Sequence, residues 1–230
     1  HQTGSMMFFK PRQIVEMNHV EFEEDGYIMF FHEDFLHAHP LHQQIRKYSF
    51  FEYETNEALH LAPKEEKIIW NIFASIEQEY NNNEDEFSRE IILVGINSLL
   101  TYAQRFYKRQ FINRKPLSGK TVTEFNRILQ TYLQDSSVEN GLPSVTDLAG
   151  QLNISRRYLS DLLKTETGKT AQDLIHIALI GEAKNRLLID DKSVSEIAYA
   201  LGFENMSYFS RLFKKETGLS PTDYKNQHLN

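Results

Sequence analysis

The sequence predicts a mainly α-helical chain with two copies of one helix-turn-helix unit toward its carboxy end. A small partial β segment and a long helical hairpin precede them. Three observations carry this. The stretch beginning SVTDLA at Ser144 returns as SVSEIA at Ser193. Apolar residues recur with helical period through two long segments between about 65 and 112. Before about residue 35, short aromatic and β-branched runs alternate with Pro11, Asn18 and Asp25-Gly26, which is strand and turn chemistry.

Residues 1–5 (HQTGS) read as a tag scar or cut end, outside the fold. Met6 to Phe35 reads as strands: Met6–Phe9, Ile14-Val15, Val20–Phe22 and Gly26–Phe31. So few strands cannot close a barrel and leave edges open, which suggests a fragment of a longer protein. His32, His37, His39 and His42 lie close together beside Glu33 and Asp34. A metal site is one reading and a polar loop the other. No pair has the i, i+4 histidine spacing with an adjacent glutamate, so no metal ligand is assigned. Phe50 and Phe51 are expected to pack on the strands.

Glu65 to Tyr80 places Ile68, Ile69, Ile72, Phe73 and Ile76 on one side of a helix, and Asn81–Asn83 ends it. Phe87 to Ile112 is a second, longer helix. It carries Ile91, Ile92, Val94, Ile96, Leu99, Leu100, Ala103, Phe106 and Tyr107, too many for one narrow stripe. Residues 6–112 are therefore expected to form one region, its apolar helices covered on more than one side, by a second copy or as a hairpin packed on its own strands. Asn113 to Lys120 (NRKPLSGK) reads as a linker because it is basic and holds Pro116 and Gly119. Residues 121–230 form the next domain. It opens with a helix over Thr123 to Leu133 that turns Phe125, Ile128, Leu129 and Leu133 inward.

The repeat spans about 144–168 and 193–218. Ser144 with Asp147, and Ser193 with Glu196, are capping boxes. Leu148, Ala149 and Leu152 align with Ile197, Ala198 and Leu201. After the turn, where Gly202 suits a left-handed backbone, the register slips by one residue. Tyr158-Leu159-Ser160 then matches Tyr208-Phe209-Ser210, and Glu166-Thr167-Gly168 matches Glu216-Thr217-Gly218. One indel, placed in a turn, marks two copies of one supersecondary unit. A short helix, a tight turn and a second helix that is basic outside form the helix-turn-helix pattern for DNA. Between the copies, Thr170 to Asp190 reads as a helix. As helix, Ala171 to Ile189 would span about 28 Å, setting two recognition helices at the scale of successive major grooves.

SVSEIAYALGF followed by SYFSRLFKKETGLSPTDY resembles the second helix-turn-helix of AraC/XylS-type bacterial transcription regulators. SVTDLAGQLNISRRYLSDLLKTETGKT resembles the first. The resemblance covers about Gly141 to Tyr224. It implies a seven-helix DNA-binding domain, a cupin-like sensor barrel whose last strands GYIMFFHEDFL resembles, and a homodimer made through helices in about 65–112. It also implies a small-molecule effector, RNA polymerase as a further partner, and a cytoplasmic location. One departure stands out: Leu179 and Ile180 stand where many members are expected to carry arginine.

Composition sets limits. The formal net charge is −7 and cysteine is absent, which rules out disulfides, thiolate nucleophiles and cysteine-based zinc fingers. Residues 1–100 hold 7 Lys+Arg against 18 Asp+Glu, and residues 101–230 hold 18 against 14. Cations for phosphate must therefore be clustered rather than supplied in bulk. No cofactor, no membrane span and no catalytic constellation are expected.

In the first unit, Ser155 is the expected N-cap. Arg156 and Arg157 are the guanine-reading candidates, with Ser160 beside them and Lys164 for phosphate. Asp161 could accept from cytosine N4 or simply be solvated. In the second unit the candidates are Asn205, Met206, Ser207, Tyr208 and Arg211, with Lys214 and Lys215 for phosphate. Tyr158 and Tyr208 could equally close the core. The alternatives to a DNA-binding regulator are a metal-binding cupin-like enzyme and an interaction module without DNA binding.

Overall fold

The computed structural model describes residues 4–11, 13, 15, 26–113, 115–134, 141–189 and 192–229. The chain divides into two compact units, 1–113 and 114–230.

In the first unit, β1 (Ser5–Met6) pairs antiparallel with β2 (Leu59–His60), Ser5 opposite His60 and Met6 opposite Leu59. Leu61 N–H donates to the Gly4 carbonyl at 2.9 Å. Gly4 and Ser5, expected to stand outside the fold, therefore belong to it. Of the strands expected up to about residue 35, the described residues form only the start of the first, at Met6 in β1. Met7–Phe9 and Gly26–Phe31 run without ladder partners, and a run with β-propensity becomes a strand only where a neighbour pairs its backbone. The segment Val20–Phe22 lies outside the described residues. From Glu33 to Glu57 the chain instead makes short 3-10 turns around α1 (Leu41–Gln44).

Two long helices follow, α2 (Pro63–Asn81) and α3 (Ser88–Asn113). Pro63 occupies the first turn of α2, where its missing N–H costs nothing, and the Glu65 carboxylate accepts from Ala62 N–H at 2.8 Å. α3 buries Leu93, Ile96, Leu99, Leu100, Ala103, Phe106, Tyr107 and Phe111. A Cβ on Gly95 would lie 2.6 Å from Ile76 Cγ1, so α2 and α3 meet closely there. Phe50 joins this core, its ring 4.5 Å from Phe8 and 5.5 Å from Tyr107.

The described residues of the second unit form helices joined by short turns: α4 (Lys115–Gln134), α5 (Val145–Gln151), α6 (Arg156–Thr167), α7 (Ala171–Ile189), α8 (Val194–Ala200), α9 (Met206–Thr217) and α10 (Pro221–Leu229). The expected linker 113–120 is not an extended segment. Asn113 still ends α3, and Lys115 already begins α4. Pro116 falls in the first turn, where helix N–H groups have no intrahelical acceptor, and Gly119 costs about 1 kcal/mol in a helix interior without breaking it.

The repeat is visible in every cap. Ser144 Oγ accepts from Asp147 N–H at 3.1 Å, and Ser193 Oγ from Glu196 N–H at 3.2 Å. The chain then turns left-handed at Asn153 (φ 54°) and Gly202 (φ 85°). Ile154 and Phe203 return their N–H groups to Ala149 and Ala198. Glu204 is the extra residue of the second turn. α6 and α9 end at Gly168 and Gly218, both left-handed. Beyond them, Thr170 and Ser220 donate to Asp173 and Asp223 at the starts of α7 and α10.

α7 packs against α4, α6, α8, α9 and α10. It buries Ala171, Ile175, Leu179, Ile180, Ala183 and Leu187. Arg186, half-buried on the same helix, donates to the Leu133 carbonyl at 2.7 Å and pairs with Glu182 at 2.7 Å.

Gly202 carries two constraints. Its φ is positive, and a Cβ would run into the Gly141 carbonyl, which also accepts from the Tyr132 hydroxyl. Gly168 has a positive φ but open space around it. Gly168→Ala is expected to cost about 1 kcal/mol, and Gly202→Ala about 2–4 kcal/mol because backbone must move as well. Chemical denaturation of the two variants checks the order. Equal losses would mean that the Gly141 contact contributes nothing.

Candidate nucleic-acid interface

α6 and α9 are amphipathic for the same reason. The buried residues of α6 are Tyr158, Leu159, Leu162 and Leu163, and those of α9 are Phe209, Leu212 and Phe213. Both sets recur at i, i+3, i+4. What remains faces solvent. In α6 these are Arg156, Arg157 and Lys164, with Ser160 and Asp161 half-buried at the margin. In α9 they are Ser207, Tyr208, Arg211, Lys214, Lys215 and Glu216, with Met206 half-buried and Glu216 beside Lys215 at 3.9 Å. Each helix thus turns a cationic face outward from an apolar one.

The caps fix the register of both faces. Ser155 Oγ accepts from Tyr158 N–H at 3.1 Å, and Asn205 Oδ1 accepts from Tyr208 N–H at 2.9 Å. Ser155 and Asn205 thus occupy the same position in their units. In each helix the side chains at N1, N2 and N6 follow from it: Arg156, Arg157 and Asp161 in α6, Met206, Ser207 and Arg211 in α9. Ser160 Oγ donates to the Arg156 carbonyl at 2.9 Å. Arg157 is ion-paired with Asp161, Nε to Oδ2, at 3.5 Å. Arg211 Nε donates to the Ser207 carbonyl at 3.3 Å. None of the sequence-predicted residues is buried, and each helix groups its own set on one side.

The two tyrosines part company. Tyr158 is 3 % exposed and belongs to the core of the first helix-turn-helix copy, whereas Tyr208 is 37 % exposed. The Tyr208 hydroxyl reaches His176 Nε2 on α7 at 3.2 Å, and Gln172 Nε2 reaches the same nitrogen at 2.9 Å. The Gln172 amide nitrogen can only donate, so its contact fits an unprotonated Nε2 and a neutral imidazole. Burial, then the Lys215 ammonium, holds His176 below the usual histidine value, opposed by Asp173 and Glu216. Sequence reading passed over His176 and Arg186, because each works through a partner on a distant element. The weak signal for Arg186 was its place four residues after Glu182 on the same helix.

The histidine cluster is engaged otherwise. His32 Nδ1 accepts from Asp34 N–H and His39 Nδ1 from Leu41 N–H, while His42 faces Glu33 at 3.3 Å and His39 faces Glu90 at 3.5 Å. Among the described residues no group of three or more His, Asp or Glu side chains is placed to hold a metal ion. No helix among them is long and apolar enough to cross a membrane.

Residues 148–227 match the family model described as "Helix-turn-helix domain". The raffinose operon transcriptional regulatory protein RafR of Pediococcus pentosaceus is 35% identical over 106 residues, 46% of this chain and 37% of that protein. The transcriptional activator RhaS of Yersinia pestis is 37% identical over 81 residues, 35% of this chain and 30% of its own length. The chain thus spans about a third of the curated relatives it matches. Among solved structures, the C-terminal domain of AraT, a response regulator from Geobacillus stearothermophilus, is 29% identical, covers 46% of this chain and 87% of that one, and has a TM-score of 0.41.

An imidazole held below its free value binds protons more readily once unfolded. His176 therefore costs stability as pH falls through about 6.5. Asp173 and Glu196, whose carboxyls are held low by Thr170 and Ser193 hydroxyls, lose their contribution only nearer pH 4. Between pH 7.5 and 5.5 the thermal midpoint should drop less in His176→Gln than in the unmodified chain. Parallel profiles would show that His176 is not the responsible group.

Proposed function

We propose, from the fact that residues 148–227 are a helix-turn-helix domain of the AraC type, that this chain is a sequence-specific regulator of bacterial transcription. It binds double-stranded DNA with α6 and α9 in successive major grooves. The observation that carries this reading is the pair of outward cationic faces, each set in register by its own N-cap and both packed on α7. Arg156, Arg157 and Arg211 offer planar forks to base edges, and Met206 offers an apolar contact for a thymine methyl. Lys164, Lys214 and Lys215 suit phosphates, which position without reading sequence. Ser155 and Asn205 set the register, and Ser160, Ser207 and Tyr208 flank the base readers. Ser160 and Tyr208 each already hold a protein partner that DNA would compete with or build on.

Residues 6–112 supply regulation in this reading, and the protein acts in the cytoplasm. Phe87, just before α3, and Ile91 and Val94 on it are exposed, an apolar patch that supports a homodimer through 65–112. The mechanism is binding. An effector or the dimer state changes how the second unit is presented to an operator and to RNA polymerase.

Competition binding at two salt concentrations tests the DNA reading. Arg157→Ala and Arg211→Ala should each lower affinity for a selected site about 10- to 100-fold while leaving random DNA nearly unchanged. Lys214→Ala with Lys215→Ala should weaken all sequences and flatten the salt dependence by about one unit per lysine. Arginine variants that bind the selected site as well as the unmodified chain would sink the assignment. For the dimer, sedimentation should give twice the chain mass at micromolar concentration and Ile91→Lys with Val94→Lys should halve it. A monomeric unmodified chain would remove this part of the proposal.

A further inference from the structure

α6 and α9 share a template and distribute charge on it differently. The second helical residue is Arg157 in α6 and Ser207 in α9. Four positions on stands Asp161 in α6 and Arg211 in α9. Only α6 therefore sets an acid one turn beyond its N2 arginine, and the pair is closed at 3.5 Å through Nε. Both side chains are partly shielded, with 46% of Arg157 and 26% of Asp161 exposed.

We propose that Asp161 is a positioning residue that sets the base specificity of α6, by holding the Arg157 guanidinium through Nε so that its two terminal nitrogens meet a guanine's O6 and N7. This rests on α6 being a base-reading helix. An acid on a DNA-facing surface repels phosphate and lowers non-specific affinity. It gains a role if it restrains the arginine beside it. A guanidinium held at Nε keeps its planar fork for a bidentate acceptor. It also surrenders less rotamer freedom on binding, and it is kept from swinging to a neighbouring phosphate. In α9 the corresponding acceptor is neutral: Arg211 Nε donates to the Ser207 carbonyl at 3.3 Å, where α6 sets a carboxylate. The two half-sites should accordingly differ in stringency, with the α6 half-site the sharper. The Asp161 main chain is independent of this role. Its carbonyl accepts from Thr165 Oγ1 at 2.8 Å, so side-chain changes leave that bond in place.

The test is selection of bound DNA from a random library by the full chain and its Asp161→Ala, Asp161→Asn and Arg157→Ala variants. Thermal transitions confirm that each variant is folded, and Asp161→Asn preserves size. The unmodified chain should enrich a guanine in one half-site. Both Asp161 variants should cut that preference about tenfold, strengthen binding to random DNA, and leave the other half-site sharp. Arg157→Ala should erase the same position, and adding Asp161→Ala should change base preference no further. Guanine preference intact in the Asp161 variants would overturn the proposal and make Asp161 a solvated charge. Loss of a cytosine preference at an adjacent position, with guanine intact, would also overturn it, by making Asp161 a base reader. A library with nothing enriched by the unmodified chain would fail the DNA reading itself, and this inference with it.

Discussion

The second unit depends on the burial of α7 on several sides at once. A helix with one apolar stripe can slide or rotate on its neighbour. One that buries Ile175, Leu179, Ile180, Ala183 and Leu187 among α4, α6, α8, α9 and α10 cannot do so without opening a cavity. The two helix-turn-helix units are therefore held by a shared core element rather than tethered by a strand of coil. Leu179 and Ile180, the departure from an arginine expected there, are part of this. Both are essentially inaccessible, where an unpaired guanidinium would be prohibitively costly. The arginine that α7 does carry, Arg186, spends its donors on Glu182 and on the last turn of α4.

What could be read in the sequence was local chemistry. Capping boxes at Ser144 and Ser193, the left-handed glycines after α6 and α9, and the i, i+3, i+4 apolar sets each lie within one short window. Repetition then multiplied a weak signal into a strong one. The exposure of Arg156, Arg157, Arg211, Lys214 and Lys215 follows from the same periodicity, since residues outside the apolar set must face elsewhere. What escaped reading was pairing at a distance. The Tyr208–His176 contact joins residues 32 apart, and Arg186 reaches Leu133 across 53. Tyr158 and Tyr208 are equivalent in sequence, yet one is core and the other half exposed.

The first unit shows the same division more sharply. α2 and α3 were legible because helices satisfy their own backbones. The strands were not, because a strand is defined by its partner. β2 finds β1 on one side. On the other, Gln110 accepts from His60 N–H at 2.8 Å and donates to the Ala58 carbonyl, while Arg109 reaches the His60 carbonyl and pairs with Glu65 at 2.6 Å. Side chains of α3 thus complete an edge that a further strand would otherwise satisfy. The helix begun at Lys115 escaped reading for a related reason, although the division between the two units falls within the expected linker. Pro and Gly are breakers in a helix interior, but Pro116 stands at a helix start, where the same chemistry is permissive.

A chain with net charge −7 can present a surface for phosphate only if local order outranks composition. Within Gly141–Asn230 the cations and anions balance, and many anions are consumed in internal work: Asp147, Asp173, Glu196 and Asp223 at helix starts, Glu182 on Arg186. Acids at helix N-termini stabilise the fold through the macrodipole and the orphan N–H groups. They serve there without diluting the faces of α6 and α9. Asp161 and Glu216 differ from these acids, because their partners, Arg157 and Lys215, lie on the outward faces of α6 and α9. Duplication kept the core and the caps of the unit and changed the charges on that face. The two copies are interchangeable as folding units and distinct as surfaces.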